Sequence, residues 1–181
     1  MNRRTFLLGL TATTLSPTFA FAAKKKRVPY QGAEWVDFET PEKPGTILIN
    51  TAQRALYHVQ GDGEAVRYGV AVGKAGFEWS GIAKVGKMVV WPRWTPPASM
   101  IERRPELARW ANGMPGGLKN PLGARGIYLY AHGRDTLFRI HGTNEPWSIG
   151  TAASSGCIRM LNEEVTTLYD TIEIGTKVIV L

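Results

Sequence analysis

Residues 45–72 read G45-T-I-L-I-N-T-A-Q-R-A-L-Y-H-V-Q-G-D-G-E-A-V-R-Y-G-V-A-V72. Thr46–Asn50 and Arg54–Gln60 are rich in the branched and aromatic residues that suit a pleated surface. Gly61-Asp62-Gly63 between them and Glu64–Val72 is a turn sequence, so the stretch predicts a β-hairpin preceded by a third strand. Similar runs recur at Lys87–Trp91, Ile127–Ala131, Leu137–His141 and Lys177–Leu181. Only two helices are indicated. Ser99-Met100-Ile101-Glu102 has capping-box spacing ahead of Glu106–Ala111, with Pro105 tolerated in a first turn. Asn162 is placed to cap Glu163–Tyr169, whose early carboxylates suit a helix N-terminus. Many short strands, 20 glycines and few helices predict a mainly β fold, a β-sandwich or partly closed barrel.

Upstream of the hairpin the character changes. Residues 28–44 hold Pro29, Pro41 and Pro44 with little periodicity and read as an extended lead-in. The chain itself opens M1-N-R-R-T-F-L-L-G-L-T-A-T-T-L-S-P-T-F-A-F-A-A23. Arg3 and Arg4 precede an apolar run, and Ala20-Phe21-Ala22 is a small-x-small cleavage pattern, which predicts a signal peptide over residues 1–22. Asn2–Leu8 resembles the twin-arginine type of signal. The apolar run is about half the ~20 residues needed to span a bilayer, so no stable membrane span is expected after the signal is removed. The expected division is signal peptide 1–22, basic and Pro-containing lead-in 23–44, and one domain over 45–181. Loss of Arg3 and Arg4 lowers the formal charge from +7 to +5. A moderately basic exported protein suits an anionic envelope, and nucleic acid is excluded as partner because no base-reading motif accompanies the charge.

Cys157 is the single cysteine of 181 residues. Outside the cytoplasm such a cysteine pairs with another chain, stays buried and inert, or reacts. It stands in S154-S-G-C-I-R-M160, where small residues let backbone come close and leave the sulfur unshielded. A thiol attacks carbonyl carbon as thiolate, and an adjacent imidazole is the common way to generate one. His58 alternates with apolar residues on a strand, an ordinary sheet position. His132 sits in the turn A131-H-G-R-D135, where exposure is expected. His141 ends the strand Leu137–Ile140 beside Gly142, sixteen residues before Cys157. One cysteine and scattered histidines offer no zinc spacing, and no G-x-S-x-G elbow surrounds Ser154 or Ser155.

H141-G-T followed by S154-S-G-C-I-R-M160 resembles the active-site signature of the L,D-transpeptidase (YkuD-type) catalytic domain. The likeness runs back through P44-G-T-I-L-I-N50, V59-Q-G-D-G63, A75-G-F-E-W-S-G81, W91-P-R-W-T-P-P97 and N120-P-L-G-A-R-G-I-Y-L-Y130, and so covers roughly residues 44 to 181. The resemblance implies a mixed-sheet β-sandwich or partly closed barrel with one or two short helices. It implies, without cofactor or metal, a cysteine acyltransferase on peptidoglycan stem peptides. Cys157 would attack the bond between the third and fourth residues of a donor stem, and a second stem would accept the acyl group in a 3→3 cross-link. His141 would be the base, oriented by the Gly142 carbonyl, with the N–H groups of Gly156 and Cys157 as oxyanion hole. The thiol is then expected to stay reactive well below pH 7. Arg159 would steady the site or hold a substrate carboxylate, with a structural ion pair as the other reading. Ser155 stands where many relatives carry a histidine, which bears on acceptor or substrate preference. Acylation of Cys157 by carbapenem-type inhibitors, a periplasmic or secreted location and a role in wall biogenesis and cell shape follow from the same resemblance. The alternatives are an L,D-carboxypeptidase using water, a transferase attaching an envelope protein, and a non-catalytic wall-binding protein.

Overall fold

The structure is a computed structural model that describes residues 30–181; the expected signal segment and the basic run Lys24–Arg27 lie outside the described residues. The strands are β1 (Glu34–Asp37), β2 (Ile47–Asn50), β3 (Ala55–Gly61), β4 (Glu64–Gly69), β5 (Val72–Gly73), β6 (Gly81–Val90), β7 (Arg125–Ala131), β8 (Arg134–His141), β9 (Ala152–Ser154), β10 (Ile158–Arg159) and β11 (Lys177–Val180). The helices are α1 (Ala98–Arg103) and α2 (Asn162–Thr171). Nine strands form one mixed sheet in the order β1-β4-β3-β2-β11-β6-β7-β8-β10, while β5 and β9 pair separately. The β2–β11 and β8–β10 pairs are parallel, and the remaining neighbours in the large sheet are antiparallel. Ala71 and Arg159 exchange main-chain hydrogen bonds of 2.9 Å, drawing the β10 edge toward the segment that follows β4. The sheet therefore curls without closing into a barrel.

The hairpin over 55–69 forms as the sequence predicts. Asp62 and Gly63 both take positive φ, 52° and 76°, as a two-residue turn between right-twisted strands requires. Alternation decides which face is buried: Ile47 and Ile49 on β2 are fully buried, as is Val178 on β11. Val165 and Leu168, three apart on α2, close the core over Ile127, Ile140 and Ile158. Burying an aliphatic side chain of this size contributes about 2 kcal/mol, which holds α2 on the sheet.

Four expectations change. The stretch read as an extended lead-in ahead of the domain pairs into the sheet: within it β1 adds an antiparallel edge strand to β4, Phe38 stacks on Tyr57 at 4.4 Å, and Glu42 pairs with Lys177 at 2.7 Å. The expected helix ending at Ala111 divides into α1 and a 3-10 segment, Pro105–Trp110, because Arg104 ahead of the proline takes extended φ near −141°. Ser99 lies inside α1, whose N-cap is Pro97, and no side-chain cap forms. Likewise the N-cap of α2 is Leu161, so Asn162 is free for another task.

Candidate active site

The parallel pairing of β10 with β8 sets Ile158 against Ile140 and Arg159 against His141. Since side chains alternate between faces, Ile140 and Ile158 point into the core, while Arg139, His141, Cys157 and Arg159 share the opposite face. Residues sixteen apart in sequence thus become diagonal neighbours on adjoining strands. His58 is buried on β3, where Gln60 Nε2 lies 3.0 Å from its Nδ1. His132 has φ of 49° in the exposed turn between β7 and β8. Neither shares the Cys157 face.

His141 is buried, and its Nδ1 lies 2.5 Å from the Gly142 carbonyl oxygen. A carbonyl only accepts, so Nδ1 carries the proton and Nε2 is the basic nitrogen. Burial drives the imidazole pKa down to about 4; the Gly142 carbonyl opposes this, while the Arg159 and Arg139 charges add to it. Burial pushes the Cys157 thiol up, against the opposing pull of the Arg139 main-chain N–H and the Arg139 and Arg159 charges. The two shifts favour a neutral thiol beside a neutral imidazole over a thiolate–imidazolium pair. The expected reactivity well below pH 7 does not fit this arrangement, because desolvation outweighs the two arginines.

The turn that carries Cys157 is shaped by Ser154, which the sequence reading weighed only as a serine nucleophile. Its hydroxyl donates to the Cys157 carbonyl at 2.5 Å and accepts the Gly156 N–H at 3.1 Å. Gly156 is thereby engaged, so of the two expected oxyanion donors Cys157 N–H is the one with no acceptor seated on it among the described residues. Gly156 has φ of 115°, and a Cβ there would approach the Phe138 ring at 2.8 Å. Ser155 is exposed beside it. Arg159 pairs with Glu145 at 2.8 Å, and its Nε is buried without a partner. A small apolar slot lined by Val72, Gly73, Trp79, Phe138 and Gly156 adjoins the turn, with Trp79 and Phe138 stacked at 5.4 Å.

Asn162, expected as a helix cap, has a different role. Its Oδ1 accepts the N–H groups of Ala124 and Thr143 at 2.9 and 3.1 Å, and its Nδ2 donates to the Thr143 carbonyl at 3.0 Å. It thus clamps the loop after His141 to the loop before β7. The cap signal at that position is real but is outcompeted by partners distant in sequence. Among the described residues no three His, Cys, Asp or Glu side chains converge as a metal site. No helix among them is long and apolar enough to cross a membrane.

A curled mixed sheet with a Gly-Cys turn on one parallel strand and a carbonyl-oriented histidine on the next defines a class of cysteine–histidine site. Residues 44–180 match the L,D-transpeptidase catalytic domain family (YkuD), and the chain belongs to it. An Escherichia coli K12 protein named probable L,D-transpeptidase ErfK/SrfK is 34% identical over 73% of this chain, which spans 42% of that relative's length. A solved structure from Brucella melitensis, named a probable carnitine operon oxidoreductase, is 49% identical with a TM-score of 0.57 over 87% of this chain and 95% of its own. An L,D-transpeptidase structure from Mycobacterium smegmatis, 19% identical with a TM-score of 0.53 over 75% of this chain and 58% of its own, shares the fold.

Proposed function

We propose that this chain is an exported L,D-transpeptidase that transfers an acyl group between peptidoglycan stem peptides through a Cys157 thioester. The observation that carries the reading is the shared face of Cys157 and His141, with Nδ1 of the ring held by Gly142 so that Nε2 is the base. Cys157 Sγ attacks the donor carbonyl as His141 Nε2 takes the thiol proton. The tetrahedral intermediate collapses, the C–N bond breaks, and His141 returns the proton to the departing D-alanine amine. The acceptor amine then gives a proton to His141 and attacks the thioester; the C–S bond breaks and His141 passes that proton to the departing sulfur, which frees the thiol. Cys157 N–H is the first oxyanion donor, and Gly156 N–H joins it once it turns from Ser154 Oγ. The neutral resting pair suits this order, because the proton moves only when substrate is present. The oxidoreductase name of the Brucella structure is not carried over: this sequence has no G-x-G-x-x-G dinucleotide fingerprint.

Residues 1–22 act in this reading as the export signal, and the mature protein works in the periplasm or cell envelope in wall biogenesis. Carbapenem-type inhibitors are expected to acylate Cys157. The test is incubation with purified disaccharide-tetrapeptide, read by mass spectrometry. Cross-linked dimer with loss of D-alanine supports transpeptidation, and loss of D-alanine without dimer assigns water as acceptor. An unchanged substrate, or equal turnover by Cys157→Ala, sinks the acyltransfer reading.

A further inference from the structure

The ladder that places His141 beside Arg159 also defines a second row on the same face. Cys157 precedes Ile158 and so lies level with Arg139, Arg139 pairs with Tyr128, and Tyr128 pairs with Lys87. The side chains confirm the row. Arg139 Cζ lies 4.3 Å from the Tyr128 ring centroid, and Lys87 Nζ lies 5.3 Å from it. The cations on this face are not equivalent. Arg139 is neutralised by a fork onto both oxygens of Asp135, at 2.7 and 2.8 Å, and Arg159 by Glu145 at 2.8 Å. Lys87 is exposed, and among the described residues no carboxylate pairs with it.

Resting on the acyltransfer reading above, we propose that Lys87 is a specificity residue that binds a carboxylate of the donor peptide on the N-terminal side of the attacked bond. Three inter-strand steps separate Cys157 from Lys87, roughly 14 Å at the usual strand spacing. The three donor residues before the attacked bond cover about 10 Å when extended, and the Lys87 side chain reaches back over the remainder, so a donor whose carbonyl meets Sγ can end its reach at the ammonium. The Tyr128 ring is shared between Arg139 and Lys87, and its contact with Lys87 holds the ammonium in the row. Arg139, already paired, cannot take that role without releasing Asp135.

The experiment isolates the donor half-reaction. Acyl-enzyme formation on the full chain is followed by intact mass without acceptor, using two donors that differ in a carboxylate or a carboxamide N-terminal to the attacked bond. Lys87→Gln should raise the half-saturating concentration of the carboxylate donor about 5- to 30-fold, leave its saturated rate unchanged, and leave the carboxamide donor untouched. Lys87→Arg should restore most of the loss. An equal effect on both donors, or no effect on either, overturns the assignment while acyl transfer stands. If the wild type acylates with neither donor, the acyltransfer reading fails and the assignment falls with it.

Discussion

At Cys157 and His141 the decisive quantity is where the proton rests. With the thiol pushed up by burial and the imidazole pushed down to about 4, the folded protein holds the proton on sulfur at neutral pH. Alkylation of Cys157 by iodoacetamide should therefore still be climbing at pH 9; a plateau reached below pH 7 would show a thiolate–imidazolium pair instead. The histidine shift also acts on stability. The unfolded chain takes up the His141 proton near pH 6.5 and the folded one only near 4, so stability is present above 6.5 and is lost as pH falls toward 4. Urea unfolding should show wild type losing about 2 kcal/mol more than His141→Gln between pH 7.5 and 5. Using the difference removes the separate effects of His58, lowered by burial, and Glu164, raised by it. The two serines of the motif should behave oppositely. Ser154→Ala strands a buried Gly156 N–H at a cost of about 1–3 kcal/mol in chemical unfolding, whereas exposed Ser155→Ala should leave stability unchanged. The proposed nucleophile and base were singled out from residue type and spacing, since both chemistry and strand-end position are written locally. The protonation state was not, because it depends on burial by residues scattered along the chain.

Strands were readable where alternation or a turn signal marks them. The Asp62-Gly63 hairpin and β7, β8 and β11 lie close to where composition places them. Glu34–Asp37 gives no such signal, and it becomes a strand only because β4 presents an edge to pair with. Asn162 illustrates the complementary failure. An asparagine ahead of Glu163 and Glu164 reads as a cap, yet its amide is taken by Ala124 and Thr143, 38 and 19 residues away. No local rule can find such partners. Asn162→Ala should remove three hydrogen bonds at once, destabilise by about 2–4 kcal/mol in chemical denaturation, and slow acylation because the loop carrying the Gly142 carbonyl loses its anchor. Full activity in that variant would show that the loop holds its shape without the clamp.

Across the whole molecule, the match to the family begins at residue 44, but the folded unit begins earlier. Tyr30 donates to Glu164 on α2 at 2.7 Å, β1 covers the β4 edge, and Glu42 reaches Lys177. A chain lacking residues 1–43 should therefore be less stable than one lacking residues 1–22, by about 2–4 kcal/mol. The corresponding drop in melting temperature is about 5–15 °C by calorimetry. Equal melting would make the early segment a passenger. The sheet order has a consequence of another kind. β11 lies at the middle of the sheet, parallel to β2 and antiparallel to β6, although it follows every other element along the chain. During vectorial synthesis the strands on either side of it leave the ribosome well before it does. Until Lys177–Val180 arrive, β2 and β6 face each other as bare edges, able to recruit strands from neighbouring nascent chains. Cys157 and His141 therefore belong to a half-sheet that is joined to the other half only once Lys177–Val180 have docked between β2 and β6.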